Sequence, residues 1–582
     1  MTTLPPEPEP IPLPPPSAHE RVRSAFRRLA AAERPEAWIG LRTMEEVLVD
    51  AKAVDERVQA GEDLPLAGTV LAVKDLFDLA GLPTTAGCPG FSRVPVTSAT
   101  VLTRLIAAGA VVLGKTNLDQ FASGLAGTRS PYGVPASALD PAKVAGGSSS
   151  GSAVAVGLGI ADLALGTDTG GSGRVPAALN AVVGLKPTIG LVPRTGVHLA
   201  SPSFDCVSVF ARSLALGQRA LAVITGPDGA DPAVRAWPAD IPLGLGERPR
   251  VAIPDQAGLS ALGAPARLAF DVAVGSLEAS GAVVTPVDLA VFFEAGKMLY
   301  GSALVAERHA SAGDVLAAGP EGADPTVSAI VAAAGRHTAH ELAEAWAKVT
   351  ELRAAARAVL DGYDALLLPT VPDHPDIEEA LADPVGVSAR LGTYSTFVNV
   401  LDLAAVTVPV APGDRRPFGV TIATRAFEDQ LGIDLAAVLT GEQEASTYPP
   451  EGTDVVVFGA HLRGQPLHDR LRGARFCGVV RTAEAYRMVL LDGTDPVQPG
   501  VMPGTAALDG ERWRLSPAAF GRFVAELPAP LLLGRVELED GSSPFAVRCD
   551  PAAADGAEGL DRYASWRGYL RFLSTAGLRS VS

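Results

Sequence analysis

The sequence predicts an α/β protein, an open sheet packed by helices, followed by a smaller strand-rich domain. Three observations carry this expectation. Short apolar strands alternate with helical stretches from residue 66 onward, the rhythm of an open α/β sheet. A polar, Pro-containing stretch at 446–453 (STYPPEGT) interrupts that rhythm, and beyond it strands dominate. At 582 residues the chain exceeds one ordinary core; 47% hydrophobic but only 5% aromatic residues mean cores built mainly of Ala, Val and Leu.

In chain order, residues 1–17 are rich in Pro, with eight Pro and two Glu, a composition expected to stay extended or disordered. From 18 to about 60 the pattern is helical, with Leu29, Ile39, Met44 and Val47 along amphipathic faces. A strand is expected at 68–73, with Lys74 and Asp75 at its end. A helix at 100–108 and a strand at 111–114 follow. Residues 146–190 repeat the unit: a Gly/Ser loop, an Ala/Val helix, a strand at 163–166, a Gly-rich turn, then a helix from about Ser172. Helices at 265–280, 327–334 and 340–360 and strands at 365–368 and 406–409 fill out a first domain spanning 18–445. Residues 446–453 read as a linker. A second domain, 454–582, has strands expected at 455–459, 476–480, 486–492 and 504–507.

The formal charge of −17 opposes a phosphate-binding surface and argues against nucleic acid as a direct ligand. Cys88, Cys206, Cys477 and Cys549 fall in no metal-ligand spacing and read as plain thiols; no metal or cofactor is called for by the mechanism reached below. No basic-then-apolar leader opens the sequence, and apolar stretches such as 153–165 are broken by Gly and Asp before reaching a membrane span. The expectation is a soluble, cytoplasmic protein.

The informative segment is 146–177. Its two Gly/Ser-rich turns abut apolar periodic stretches, so they read as tight turns in which the backbone approaches something closely. A phosphate-cradling loop would need the G-x-x-x-x-G-K-[ST] pattern, which is absent. Thr169, Gly170 and Gly171 precede Ser172 where a helix is expected to start, and free amides there make a donor nest for a developing oxyanion. No histidine lies close by in sequence, the nearest being His198. A lysine kept neutral by burial can replace it as base, from a reference pKa of about 10.4. Lys74, ending a buried strand, is the candidate; a strand-end salt bridge with Asp75 is the plainer alternative.

Lys74 in AVKDLFD, the GGSSSGS loop and GTDTGGSGRVPAA, in that order and with that serine spacing, resemble the amidase signature family over roughly residues 20–445. The resemblance implies a mixed sheet covered by helices and a catalytic triad of Lys74, Ser148 and Ser172. Ser172 would be acylated and Ser148, after a cis peptide at Gly147, would relay the proton. Ser149 is a lesser candidate within that loop, and Asp168 and Arg174 would brace it. Within the family, TNLDQFASGLAGTRSPYG (116–133) resembles the allophanate hydrolase subgroup, with Gln120 where Glu is usual. That subgroup resemblance implies substrate contacts from Gly124, Arg129, Tyr300 and Arg308, the last two on one helix at 296–310. Arg129 stays open between ligand contact and loop brace.

The segments DVVVFGAHLRGQPLHDRL and MPGTAALDG resemble the domain appended to allophanate hydrolases, itself similar to the γ-glutamylcyclotransferase fold. The implied activity is hydrolysis of allophanate to ammonia and carbon dioxide, the second domain promoting decarboxylation of N-carboxycarbamate. His461 is its candidate residue and His468 the alternative. The resemblance further implies a homodimer, served by a biotin-dependent urea carboxylase that makes the substrate. The competing readings are an A-type subunit of a glutamyl-tRNA amidotransferase, a general carboxamide amidase, or a non-enzymatic scaffold.

Overall fold

The computed structural model describes residues 16–411, 413, 418–442, 448, 452–491, 494–560 and 562–575. The Pro-rich stretch up to residue 15 and most of the expected linker at 446–453 lie outside the described residues.

The first domain is built on eleven strands: β1 (Trp38–Leu41), β2 (Val70–Lys74), β3 (Val111–Thr116), β4 (Leu163–Asp168), β5 (Val183–Lys186), β6 (Cys206–Ala211), β7 (Arg250–Pro254), β8 (Val283–Val287), β9 (Ala365–Pro369), β10 (Leu403–Val410) and β11 (Phe418–Arg425). They form one sheet in the order β1-β3-β2-β4-β6-β5-β10-β11-β9-β7-β8. β3, β2 and β4 run parallel, as do β9, β7 and β8, while the strands between them pair antiparallel. The sheet is therefore mixed.

Helices cover both faces, which is why β2, β3, β4, β5 and β6 are buried along their whole length. Strand periodicity divides β2 between two cores: Leu71 and Val73 join one, Val70 and Ala72 the other. The second core contains the helix Ser150–Gly157 through Ala153, Val154, Ala155 and Val156. By the same alternation Lys74 belongs to the face that this helix covers.

Several local expectations are corrected. The helical pattern over 18–60 is two helices, Ala18–Ala32 and Met44–Gln59, each begun by a capping box on Ser17 and Thr43, with β1 between them. Glu33 in the left-handed region and Pro35 after it stop the first helix. The helix expected from Ser172 begins at Val175. The helix at 296–310 is two, Ala290–Gly301 and Ala306–Ala317, so Tyr300 and Arg308 stand on different elements; Ser302 breaks them, its hydroxyl accepting from Leu304 N. No strand runs over 504–507.

In the second domain, strands β12 (Thr453–Val457), β13 (Arg475–Arg481), β16 (Asp509–Leu515), β17 (Leu531–Arg535) and β18 (Phe545–Cys549) make a sheet in the order β13-β16-β12-β18-β17. β14 (Tyr486–Leu491) and β15 (Gln498–Pro503) form a separate hairpin, taking the place of the 504–507 strand. The domain has its own core around Val455, Val457, Trp513 and Trp566. It docks on the first through Arg475 on Asp434 (2.8 Å), Arg522 on Asp240 (2.7 Å), and Leu243 N donating to Gly473 O (2.7 Å).

Candidate active site

Parallel pairing of β2 with β4 sets Val73 opposite Leu165, so both strands end side by side with Lys74 next to Thr167 and Asp168. The helix Ser150–Gly157 lies on this corner, and the 146–149 loop enters it through a cis Gly147–Ser148 peptide. The loop presses on β4: a Cβ at Gly166 would fall 2.8 Å from Ser149 Oγ, so the strand needs glycine there.

Lys74 Nζ donates to the hydroxyls of Ser148 (2.7 Å), Ser149 (2.9 Å) and Thr167 (2.8 Å). All its contacts are neutral and the residue is fully buried. Burial takes its pKa down from 10.5 to about 7, outweighing the more distant carboxylates of Asp119, Asp205 and Asp168 that pull it up; Arg308 adds to the lowering. Burial thus makes the neutral amine accessible near neutral pH. The salt bridge with Asp75 does not form, because neighbouring strand residues point to opposite faces. Asp75 instead pairs with the buried Lys115 at 2.6 Å and accepts the Thr85 hydroxyl at 2.5 Å.

Ser172 is buried in the turn between β4 and the helix Val175–Leu179, and its hydroxyl takes no hydrogen bond among the described residues. The turn is organised by Asp168. Its carboxylate accepts from Gly171 N and Gly173 N (2.9 Å each) and from Arg174 through Nε (3.0 Å) and Nη2 (2.9 Å). Burial alone would push the Asp168 pKa up, but Arg174 reverses this and holds it below the usual carboxylate range. Arg174 in turn donates to Ser395 O and Asn399 Oδ1. Of the amides expected in the donor nest, that of Gly171 is therefore already engaged with Asp168, and the Thr169 hydroxyl donates to Asp205. Gly171 has φ +138°, a conformation that favours glycine.

A cavity of about 540 Å³ opens beside this turn, lined among others by Ser123, Gly124, Arg129, Lys297, Tyr300 and Arg308. The triad does not itself line it. The link is Gly170, where an added Cβ would stand 3.4 Å from the Tyr300 hydroxyl. Arg308 is 2% exposed, donates to Ser123 Oγ (2.8 Å) and Tyr300 Oη (3.2 Å), and sits over the Tyr300 ring. Arg129 donates to Ser123 O (2.5 Å) and Pro384 O (2.6 Å), while its buried Nε has no acceptor. It thus both braces the loop and faces the cavity. Gly124 is held small by Asp119, whose Oδ2 would lie 2.5 Å from a Cβ. Among the described residues no acidic side chain lines the cavity, although the chain as a whole is acidic.

Sequence reasoning missed Asp119, Thr167 and Asp205. Asp119 accepts from Gly127 N and Arg129 N while its own amide donates to Ser148 O, tying the serine loop to the cavity wall. It adjoins Gln120, the more conspicuous residue of that segment. Gln120 braces loops away from the triad, through Gly87 O and Gly322 O.

The two histidines of the second domain part company. His461 is buried against Phe523, its Nε2 without a partner, and burial takes its pKa down to about 4, with Arg470 and His468 adding to the effect. His468 lines a cavity of about 780 Å³ between the domains together with Arg463, Arg472 and Arg522. Among the described residues no group of three His, Cys, Asp or Glu side chains is placed to hold a metal, and no helix is long and apolar enough to cross a membrane.

The family model described as Amidase matches residues 20–432, and that described as the allophanate hydrolase C-terminal domain matches 453–571. A urea amidolyase of Lachancea kluyveri is 35% identical over 96% of this chain, but the match covers 32% of the relative, so the chain spans about a third of that protein's length. The structure of an allophanate hydrolase from Kluyveromyces lactis superposes with a TM-score of 0.84 at 35% identity, covering 96% of this chain and 97% of that one. The A-type component of a glutamyl-tRNA(Gln) amidotransferase from Symbiobacterium thermophilum is 35% identical, with 72% of this chain and 92% of the relative covered. A match over most of its length, on the segments that build the lysine–serine site, makes this chain a member of the amidase family.

Proposed function

We propose that the protein hydrolyses allophanate, using Ser172 as nucleophile, Ser148 as proton relay and Lys74 as base. One observation carries the choice of substrate: a cavity with Arg129, Lys297 and Arg308 on its walls and no acid, meeting the turn that holds Ser172. An anionic amide gains charge-assisted hydrogen bonds there, whereas a neutral amide would bring no counter-charge to the cationic wall, whose buried guanidinium groups donate only to neutral oxygens such as Ser123 Oγ and Pro384 O. Neutral Lys74 takes the Ser148 proton as Ser148 takes that of Ser172, and Ser172 Oγ adds to the carbamoyl carbon. Amides of the 169–172 turn, beginning with those of Thr169 and Gly170, stabilise the oxyanion. The carbon–nitrogen bond breaks, the relay runs backwards to protonate departing ammonia, and water releases the acyl group as N-carboxycarbamate.

In this reading the second domain, through His461 or His468, promotes loss of carbon dioxide from that product, leaving carbamate to give ammonia and carbon dioxide. A biotin-dependent urea carboxylase would supply the substrate, and the enzyme would work as a cytoplasmic homodimer. Similarity to the A-type component of amidotransferases supports the lysine–serine chemistry equally, but those proteins give no reason for the domain at 453–571. The test is ammonia release from allophanate, acetamide and glutamine by the purified chain. Turnover confined to allophanate is expected; comparable rates on the neutral amides would discard the anion-binding cavity as the source of specificity.

A further inference from the structure

The cavity is much larger than the substrate proposed for it. A water takes about 30 Å³ of liquid, so an anion of about seven non-hydrogen atoms takes about 200 Å³ at most. Less than half of the roughly 540 Å³ would then be filled. Much of the remaining wall is apolar: Leu125, Phe293, Val305, Ile330, Val385 and Ala389 line it, beside the hydroxyls of Ser388, Thr393 and Thr396. Val385 is 57% exposed, an apolar side chain at the cavity's edge, and Phe293 is fixed by edge contacts with Tyr394 and Phe397. A site that handled only a small, fully polar anion would gain nothing from this surface, whereas an apolar substituent would be drawn to it.

We propose that the same site hydrolyses larger anionic amides, namely malonamates carrying an alkyl or aryl substituent on the central carbon. Malonamate keeps the carbamoyl group and the carboxylate of allophanate and replaces the nitrogen between them by carbon. A substituent on that carbon enters the apolar part of the cavity while the carboxylate stays on Arg308 and Tyr300. The reaction is the same: one water is consumed, the carbamoyl carbon–nitrogen bond is exchanged for a carbon–oxygen bond, and ammonia leaves with the relayed proton. The proposal rests on the allophanate reading, since it uses the same carboxylate contacts.

The experiment is ammonia release by the whole chain from allophanate, malonamate and 2-butylmalonamate, repeated in Ile330→Trp, which fills the apolar part. The expected kcat/KM for 2-butylmalonamate is at least about tenfold above that for malonamate, and Ile330→Trp removes most of that ratio. The two-substrate ratio is insensitive to a general loss of folded enzyme, and allophanate turnover by the variant reports its integrity. An enzyme that hydrolyses allophanate but leaves 2-butylmalonamate untouched overturns the proposal, as does a ratio that Ile330→Trp leaves unchanged. Failure on allophanate itself would instead sink the functional reading, and this proposal with it.

Discussion

Among single residues, the proposed chemistry turns on Lys74. A lysine whose pKa has fallen to about 7 is a usable base at neutral pH, and protonation removes it. The sign follows: kcat/KM should fall by about tenfold per pH unit below about 7 and level off above it. A pH–rate profile checks this, and an acid limb that broke near 10 would mean an ordinary lysine. Lys74→Arg, charged at every accessible pH, should lose about 10²–10⁴ in kcat while the protein stays folded, as read by kcat and by thermal unfolding. Arg308→Gln removes the charged partner proposed for the substrate carboxylate and should raise KM by about 10- to 100-fold with a smaller effect on kcat. The motifs made the lysine and both serines legible in the sequence. Thr167, Asp119 and Asp205 were not, because each acts through a contact made by folding: Thr167 faces Lys74 only once β2 and β4 pair, and Asp119 reaches the serine loop from a distant segment.

Among the elements, strand alternation and one buried ion pair hold the site. The burial of β2 on both faces was readable from its unbroken apolar run, and alternation along it explains why Lys74 and Asp75 take different partners. The start of the helix after Ser172 was misplaced because Asp168, through Gly171, Gly173 and Arg174, holds residues 169–174 as a turn, and local sequence does not encode that carboxylate's reach. Tyr300 and Arg308 were expected on one helix; the break at Ser302 lets the guanidinium cross to the Tyr300 hydroxyl. The Asp168–Arg174 pair is wholly buried, so Arg174→Met should leave an uncompensated carboxylate and cost about 3–5 kcal/mol of stability, measured by denaturant unfolding. A loss under about 1 kcal/mol, the worth of an exposed pair, would contradict the role given to it.

In the molecule as a whole, two domains with separate cores meet across Arg475–Asp434 and Arg522–Asp240. The change from alternating helices and strands to a strand-rich pattern was visible in the sequence, although the second domain also holds the helices Pro517–Ala525 and Trp566–Thr575. How the second domain docks was not, since its contacts join residues far apart in sequence, 41 positions for Arg475 and Asp434 and 282 for Arg522 and Asp240. The division of labour proposed for the domains predicts that His461→Asn slows carbon dioxide release while ammonia from the first step appears at the wild-type rate; equal slowing of both would tie His461 to the fold as a whole. The decisive comparison is ammonia release from allophanate by the wild-type chain and by Ser172→Ala under identical conditions. A serine nucleophile at this position requires turnover by the wild type and a loss on the order of 10⁶-fold in the variant. Turnover that survived in Ser172→Ala would contradict that assignment, because the nucleophile would then lie elsewhere.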